Sequence, residues 1–440
     1  MKTISKVLLG CLMVGAATSC AVYSYAISND FRYGNDYNPQ SYSIDAEADD
    51  IHESSSEKYD YLLRNWSDDP EWPDDRNANF PDFYGGAYIN DEGELVIQVT
   101  SLNEEVISYF ADLIDLEHVH FSEVKYSLHE LFEAQEMIND ILTSNDTDAS
   151  IRDSINGTGI SIENNTVNVY VSSDSCVEPV STLDTYSEYA NDLCSIDFVK
   201  LDFADWSTEG ARIDILEQDL ELQNTISGIL VQPGAPILLR VGSSSSYLIS
   251  SVGCWVKDSR GDIGILTAAH DDAYKGQSAF ASKTGERPDE YFGTVSTRMF
   301  EGAVDAAYVR RDSISFNPIT YVDGWDFNLK AASKLMAVGD EIYKRGIGSG
   351  VRRGKVRDIY FNPKANDSSG TVQISDAVLT DCVARSMDSG GIVAGGGSTS
   401  SRYVAGIISG GVWESSTQEE AYMYYSKVPS ILRAFDLTLY

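Results

Sequence analysis

The pattern of apolar and polar positions divides the chain into two parts of different texture. From about residue 237 onward, short apolar runs alternate with Gly, Ser and Asp turns, and helical periodicity is absent until the stretch Val428–Phe435. Many short strands separated by turn residues are typical of an all-β barrel or sandwich. We therefore expect an all-β second half that ends in a short helix.

The first half has the pattern of a small α+β domain. Residues 83–89 and 94–100 have strand composition, and the turn residues of a hairpin lie between them at 90–93. Residues 127–142 show helical periodicity, and residues 166–171 alternate like a strand. This α+β unit is expected over 81–226, followed by the β-rich domain over 227–440.

The residues before this unit predict an export signal and a leader. Lys2 and Lys6 precede an apolar stretch, and Ser24-Tyr25-Ala26 offers a cleavage site, so residues 1–26 are expected to be a signal peptide. Lipid attachment at Cys20 is an alternative. Residues 27–80 are rich in Asp, Ser, Asn and Tyr, and we predict that they form an acidic, disordered leader.

The charge of the chain is concentrated in the first half. Of a formal net charge of −36, residues 27–230 carry 45 acidic and 8 basic side chains, whereas residues 231–440 carry 23 and 22. Nucleic acid is therefore excluded as a partner, because a phosphate backbone requires basic patches. No apolar run outside the N-terminus is long enough to span a membrane.

The six cysteines give no metal motif. Cys11 and Cys20 lie in the signal region, and no C-x-x-C occurs, so neither a metal site nor a cofactor is predicted. Cys176 and Cys194 could form a disulfide after export.

A histidine, an aspartate and a serine of the second half have surroundings that suit catalysis. His270 follows the apolar run 264–269, so a base at the end of a strand can reach a cleft. Asp305 lies among small and apolar residues, where a buried carboxylate needs a partner. Ser389 is followed by two glycines, which allow a tight bend. Each residue alone also fits an ordinary loop or turn position.

Together, in the order His, Asp, Ser, the three residues predict a catalytic triad. A serine hydroxyl needs a base that removes its proton, and the base needs an acid that fixes its tautomer. The competing G-x-S-x-G motif is absent, because Met387 stands two positions before Ser389. H-E-x-x-H does not occur anywhere in the chain.

Several short motifs of the second half carry a resemblance to a known family. They are Leu266-Thr267-Ala268-Ala269-His270, Asp305-Ala306-Ala307, Asp388-Ser389-Gly390-Gly391, the glycines at 346, 350 and 354, and Ser409-Gly410-Gly411. With these motifs the second half resembles the chymotrypsin-like (trypsin-like) serine proteases. It is most similar to their secreted bacterial branch, which includes alpha-lytic protease and the streptogrisins. The resemblance implies a double six-stranded β-barrel. The predicted hairpin of the first half, more loosely, is similar to the pro-regions of that branch.

The resemblance also implies roles for residues around the nucleophile. The N–H groups of Met387 and Ser389 would form the oxyanion hole, although the family has Gly in place of Met387, whose β-carbon would strain a positive φ. Val383 and Ala384 would line the pocket for the residue before the scissile bond and favour an apolar or small one. Asp381 is near enough to reverse that preference. Ser409, Gly410 and Gly411 would pair with the substrate backbone.

Asp388 needs a cation, since a carboxylate beside the nucleophile is expected to be buried. Aligning the glycines on those of the branch implies that Lys344 supplies it or, failing that, Arg345. The chain lacks cysteines at the positions where the family would place partners for Cys254 and Cys382, so the two could pair only with each other.

These expectations combine into a function. We expect a secreted serine endopeptidase, made as a proprotein, that acts through an acyl-enzyme intermediate and is cut between residues 224 and 246. Its partners would be peptide or protein substrates and its own pro-region, and it would be a monomer. One alternative is a weak or inactive protease-like binding protein at the cell surface, with an oxyanion hole disabled by Met387. Another is a structural or adhesive protein whose acidic half does the work.

Overall fold

The computed structural model describes residues 46–144, 155–171, 199–203, 230–242, 246–270, 273–322, 324–367, 370–398, 400–413 and 421–440. The helices of this part are α1 (Ala46–Trp66), α2 (Glu104–Ala111), α3 (Leu128–Thr143) and α4 (Val428–Phe435). In the described ranges, no helix combines the length and the apolar character that crossing a membrane requires. The predicted signal peptide lies outside these ranges.

The described residues up to 203, which we call the N-terminal segment, form a sheet with flanking helices and a second group of strands. The strands are β1 (Tyr84–Ile89), β2 (Leu95–Val99), β3 (Val119–Glu123), β4 (Ile155–Ser161), β5 (Thr166–Val171) and β6 (Val199–Phe203). β1 and β2 form the predicted hairpin, and β3 runs parallel to β2 after the α2 crossover. The α+β prediction for this half is confirmed.

The expected disordered leader is wrong from Ala46 onward. Residues 46–66 form helix α1, which buries Tyr59, Leu62, Leu63 and Trp66 in a core shared with β1 and β2. These four positions follow the i, i+3, i+4, i+7 spacing of a helix face that packs on a core. The acid-rich and serine-rich sequence around them hid this face from the composition-based prediction.

The first barrel is built from residues 236–311. Its strands are β7 (Pro236–Arg240), β8 (Tyr247–Ser251), β9 (Trp255–Asp258), β10 (Ile263–Thr267), β11 (Ser278–Ala281), β12 (Glu290–Glu301) and β13 (Val304–Arg311). β8 and β9 are consecutive, and β8 pairs with β7 whereas β9 pairs with β10. Counted as one bent strand, β8 and β9 therefore join β7 to β10 and close a barrel of six strands.

The second barrel is also closed. The strands of this half are β14 (Asn328–Ser333), β15 (Glu341–Gly346), β16 (Gly350–Asp367), β17 (Gly370–Gln373), β18 (Ala377–Ala384), β19 (Ile392–Ser398), β20 (Ser401–Trp413) and β21 (Ala421–Lys427). The last strand, β22 (Leu437–Leu439), pairs with β9 of the first barrel. The order β15-β19-β20-β21-β18-β16 returns to β15 through a direct β15–β16 pairing. The predicted double six-stranded barrel with a C-terminal helix is confirmed.

The N-terminal segment packs on the second barrel through backbone, apolar and ionic contacts. Strands β4, β5 and β6 extend the sheet of the second barrel from the long strand β16. One apolar core contains side chains of α1, β1, β2 and α3 together with side chains of the second barrel. The buried Lys427 ammonium lies 2.7 Å from Asp75 Oδ2 and 3.0 Å from Asp376 Oδ1, so an ion pair also bridges the two parts.

A buried carboxyl group at this interface predicts a pH dependence of stability. Burial raises the pKa of Asp358 to about 7, and hydrogen bonds from the Tyr360 N–H and the Tyr170 hydroxyl oppose the shift. Because the pKa is raised in the folded state, the protonated carboxyl group of Asp358 stabilises the fold. This contribution is fully present below pH 3.8, the ordinary pKa, and is lost as the pH rises through about 7. We expect the loss to reach about 1.4 kcal/mol per pH unit within that window.

The measurement is urea unfolding of the full chain carrying Ser389→Ala, from pH 5 to pH 8, with and without Asp358→Asn. The advantage of the parent over the Asn variant should shrink as pH rises, because asparagine does not ionise. Asp326→Asn, at an exposed position, is the control. A difference between parent and Asp358→Asn that is constant with pH would contradict the prediction.

Candidate active site

The three predicted catalytic residues meet between the two barrels. His270 lies just after β10, and Asp305 lies on β13, which pairs with β10 in the first barrel. Ser389 lies in the loop between β18 and β19 of the second barrel. The base and the acid are thus held by one barrel and the serine by the other.

The hydrogen bonds among these residues form a chain through the imidazole of His270. Nδ1 of His270 lies 2.6 Å from Asp305 Oδ2, and Nε2 lies 2.9 Å from Ser389 Oγ. The other oxygen of Asp305 accepts the Ala269 and His270 backbone N–H groups at 2.9 and 3.0 Å. Asp305 is almost fully buried, whereas 18% of the His270 side chain is exposed. The carboxylate therefore fixes the ring while one edge of the ring stays accessible.

Two serines of the first barrel, which were not among the predicted site residues, hold the loop of Ser389. The Ser250 hydroxyl and the Ser251 N–H both donate to the carbonyl of Ser389, at 2.9 and 2.8 Å. The Ser251 hydroxyl donates to the carbonyl of Met387 at 2.8 Å. These contacts join residues about 140 positions apart, so no local pattern announces them. They hold the loop that carries Ser389 in a fixed position relative to His270.

Asp388 is fully buried and bonded on both carboxylate oxygens. Lys344 Nζ lies 2.7 Å from Asp388 Oδ2, and both side chains are at most 1% exposed. The Ser349 N–H donates to Oδ1 at 3.0 Å, and the Arg385 N–H donates to Oδ2 at 2.8 Å. Gly346 lies so close that a β-carbon there would be 2.5 Å from Asp388 Oδ1. The glycine spacing that places Lys344 thus also makes room for the carboxylate.

The electrostatics of this pair favour the ionised state of Asp388. Burial alone raises the pKa of its carboxyl group, but the Lys344 ammonium and the hydrogen bonds from Lys344, Ser349 and Arg385 lower it more. The net result is a pKa below the ordinary value. A carboxylate that is held charged in this way can anchor the backbone of the nucleophile loop.

Met387 has a backbone conformation that is costly for a residue with a β-carbon. Its φ is 75°, in the left-handed region, and its side chain is directed outward and 42% exposed. Within the described residues, neither the Met387 nor the Ser389 amide donates a recorded hydrogen bond. The oxyanion hole assigned to them by resemblance stays a prediction.

This strain leads to a prediction for Met387→Gly. Replacing Met387 by glycine removes the cost of a β-carbon in the left-handed region, which is about 1–2 kcal/mol. The greater flexibility of glycine in the unfolded chain offsets roughly 0.5–1 kcal/mol of this gain. We expect the free energy of unfolding to rise by up to about 1 kcal/mol, measured by urea unfolding. Ser386→Gly is the matched control, because Ser386 is exposed, precedes Met387 and has no positive φ. The control variant Ser386→Gly should have a lower free energy of unfolding than the parent. A decrease of the same size in Met387→Gly would contradict the proposed backbone strain at Met387.

The residues assigned to substrate binding lie on two strands of the second barrel. Val383 and Ala384 are buried at the end of β18, and Ser409 is buried in β20, beside Gly410 and Gly411. Their roles stay predictions.

Asp381, the residue that would reverse the pocket's preference, is already paired. It forms an ion pair with Arg357 and accepts the Lys355 N–H at 2.6 Å. Its charge is therefore compensated within the barrel.

The described cysteines are free thiols. Cys254 and Cys382 are both buried and unbonded to each other, so the pairing considered from the sequence is wrong. Burial raises the pKa of each thiol to about 12, so both stay protonated at neutral pH. Cys176 and Cys194 lie outside the described residues, and their disulfide stays a prediction.

Comparisons with known proteins bear on each half of the chain. The model of the "Pro-like N-terminal domain" family matches residues 44–124. Similar solved structures are protease A of Thermobifida fusca, a protease of Nocardiopsis and a chymotrypsin of Cellulomonas bogoriensis. They are 21%, 22% and 23% identical, cover 48% of this chain and 98% of their own, and have TM-scores of 0.37, 0.37 and 0.36. The chain is therefore similar to bacterial proteases over about half of its length and to a pro-like domain over residues 44–124. No curated sequence matches the chain.

The family match lies in the first part of the chain. The family match covers α1, β1, β2, α2 and β3, which is the part of the N-terminal segment that includes the mispredicted leader. The structural matches cover about half of the chain. The double barrel is shown by the strand pairings described above.

Proposed function

We propose that the chain is a secreted serine endopeptidase, made as a proprotein, that cleaves peptide bonds through Ser389, His270 and Asp305. The observation that carries the proposal is the hydrogen-bonded chain in the cleft. His270 bridges Asp305 at 2.6 Å and Ser389 at 2.9 Å, with the base and the nucleophile supplied by different barrels. A serine, an imidazole and a buried carboxylate in this arrangement are the components of acyl transfer.

In the proposed reaction, His270 Nε2 takes the proton of Ser389 Oγ while the oxygen attacks the carbonyl carbon of the substrate. The Asp305 carboxylate accepts the Nδ1–H of His270 and stabilises the imidazolium. The N–H groups of Met387 and Ser389 donate to the oxyanion of the tetrahedral intermediate. The imidazolium then protonates the leaving amine, and an acyl-enzyme remains at Ser389. Water, deprotonated by His270, releases the acid and restores the serine.

The proposed substrate preference follows from the pocket residues. Val383 and Ala384 offer apolar surface, and Asp381, the nearby acid, is paired with Arg357. We therefore expect cleavage after apolar or small residues, because a methylene group in an apolar pocket changes discrimination by about 1–3 kcal/mol. A peptide-library profile of the purified enzyme measures this, and a profile dominated by Arg or Lys would contradict it.

The proposed proprotein is supported by the N-terminal segment. Its family match is to a pro-like domain, and it shares a core and an ion pair with the second barrel. We propose that the segment assists folding of the barrels, inhibits them and is released by cleavage between residues 224 and 246. Mass spectrometry of secreted protein tests this, and fully active protein that is never cut there would contradict it.

The experiment that tests the activity is labelling with a fluorophosphonate, read out by intact mass and peptide mapping. We expect one label, on Ser389, after release of the N-terminal segment, and no label in Ser389→Ala or His270→Ala. Ser386→Ala, in the same loop, should label like the parent. Failure of the processed protein to label would overturn the proposal.

A second candidate, a protease-like binding protein, is favoured by one observation. Met387 stands with a φ of 75° where the family has glycine, so a misaimed N–H would weaken the oxyanion hole. Labelling of Ser389 without turnover of any peptide in a library would support this candidate.

A further inference from the structure

Three charged side chains meet where the N-terminal segment packs on the second barrel. Asp75 belongs to the segment, in the stretch between α1 and β1, whereas Asp376 stands directly before β18 and Lys427 ends β21. All three residues are at most 4% exposed. The segment therefore contributes one buried carboxyl group, and the barrel contributes one carboxyl group and one ammonium.

The single ammonium of this cluster faces both carboxyl groups. Lys427 Nζ lies 2.7 Å from Asp75 Oδ2 and 3.0 Å from Asp376 Oδ1, and a carboxylate oxygen of each aspartate lies within 4.8 Å of the other's. With all three groups ionised, the buried cluster carries one net negative charge. Two carboxylates at this separation oppose each other's ionisation, and burial penalises the uncompensated charge. The docked state, in which the segment packs on the barrel, therefore favours one proton on the aspartate pair.

The pKa of Asp376 agrees with this charge count. Burial raises it from the ordinary 3.8 to about 7, against the lowering effect of the Lys427 ammonium and with a further contribution from the charge of Asp75. Because the two aspartates interact, the proton belongs to the pair and not to one residue.

The other titratable and charged groups around the cluster do not supply the missing positive charge. Asp74 has its own cation, Arg433, at 2.7 Å, and Arg76 is hydrogen-bonded to Gln135. Asp358 is a further buried carboxyl group near Lys427, and burial raises its pKa to about 7 as well. Burial also holds the pKa of the nearby tyrosines above the ordinary value of 10.0, so they stay neutral where aspartate titrates; they are Tyr59, Tyr84, Tyr360 and Tyr425.

We propose that the cluster of Asp75, Asp376 and Lys427 makes the docking of the N-terminal segment pH-dependent, so that the segment is held at acidic pH and released more readily at neutral pH. When the segment leaves, Asp75 leaves with it, and Lys427 and Asp376 remain as a one-to-one ion pair. That pair needs no proton, whereas the docked cluster takes one up. This inference concerns the regulation of the proposed proprotein and rests on the proposed release of its segment.

The docking constant should fall as the pH rises. The pKa of Asp376 is about 7 in the docked state, and in the released state the neighbouring ammonium keeps it no higher than the ordinary 3.8. The contribution of the proton to docking is therefore fully present below pH 3.8 and is lost as the pH rises through about 7. Within this window the docking constant falls by up to about tenfold per pH unit, and above it the constant no longer changes with this proton.

The test is hydrogen exchange, read out by mass spectrometry, of the full chain carrying Ser389→Ala from pH 5 to pH 9, with the intrinsic effect of pH on exchange removed. Amides that bridge the two parts report docking, such as that of Ile89, which donates to the Val338 carbonyl at 2.8 Å. Asp376→Asn removes the shared proton, and asparagine tolerates the left-handed φ of 59° at this position.

We expect the protection of these amides in the parent, divided by that in Asp376→Asn, to fall by up to about tenfold per pH unit between pH 5 and pH 7 and to level off above. Asp358 titrates in both proteins, so its contribution cancels in this ratio. Asp75→Asn, on the segment side, should give the same profile and decides the test if the barrel variant fails to fold.

Asp436→Asn is the matched control, because Asp436 also has a left-handed φ, of 54°, but is exposed at the end of α4. The ratio of parent to this control should not change with pH. Ratios that are constant with pH for both Asp376→Asn and Asp75→Asn would overturn the proposal. That result would leave the proposed peptidase standing, because the measurement uses a chain without Ser389, whereas failure of fluorophosphonate labelling would refute the peptidase and leave the docking measurement valid.

Discussion

Replacement of Ser389 by alanine is expected to reduce kcat for peptide hydrolysis by about 10⁶-fold, and His270→Ala by a similar factor, because the members of a triad act as one unit. Asp305→Asn should cost about 10⁴-fold, since the asparagine would hold the imidazole in the wrong tautomer. The measurement is single-turnover and steady-state hydrolysis of a peptide by the processed enzyme. The folded state should persist, because Ser389 and His270 are partly exposed.

Matched variants separate catalysis from general damage. Ser386→Ala changes an exposed serine of the same loop, and His129→Ala changes an exposed histidine of α3. Both should hydrolyse peptide at the rate of the parent. The double variant Ser389→Ala/His270→Ala should be no slower than either single variant, because the residual rate no longer uses the triad. Near-parental turnover by either single variant, with contaminating protease excluded by active-site titration, would refute the assignment.

The barrels and the position of the candidate site could be predicted because their signals are local. Each of His270, Asp305 and Ser389 stands beside small residues at a strand end or in a turn, and the strands themselves are short apolar runs between turn residues. The position of Lys344 followed from glycine spacing. The fold class could be predicted from the alternation of short apolar runs and turn residues in the second half, together with its resemblance to the chymotrypsin-like proteases.

The contacts that complete the site could not be predicted, because they join distant parts of the chain. Ser250 and Ser251 reach the carbonyls of the nucleophile loop across the barrel interface, and two serines in a strand carry no pattern that predicts this. Helix α1 was missed for a different reason. Its apolar face consists of only four residues, and the acidic and serine residues that precede them in the helix dominate the composition.

The buried pair of Lys344 and Asp388 gives the second large expected effect. In Lys344→Met the Asp388 carboxylate would stay buried without its cation, which typically costs about 3–5 kcal/mol. The loop that carries the Met387 and Ser389 N–H groups would then lose its fixed anchor. We expect kcat to fall by about 10²–10³-fold, the cost of a misaimed oxyanion donor, with a smaller change in KM. Lys344 is a positioning residue, because it acts through Asp388 and not on the substrate.

Arg345→Met is the matched control, since Arg345 is the neighbouring cation on β15, whereas the ion pair with Asp388 is formed by Lys344. It should keep kcat within a few-fold of the parent. The double variant Lys344→Met/Asp388→Asn should recover part of the stability lost in Lys344→Met, because no buried charge is left unpaired. Recovery of stability without recovery of kcat would separate the two roles, since asparagine accepts fewer of the hydrogen bonds that Asp388 receives from Arg385 and Ser349. If Lys344→Met keeps both the stability and the kcat of the parent, the pair does not support the loop, and the amine released by cleavage between residues 224 and 246 becomes the better candidate for the cation.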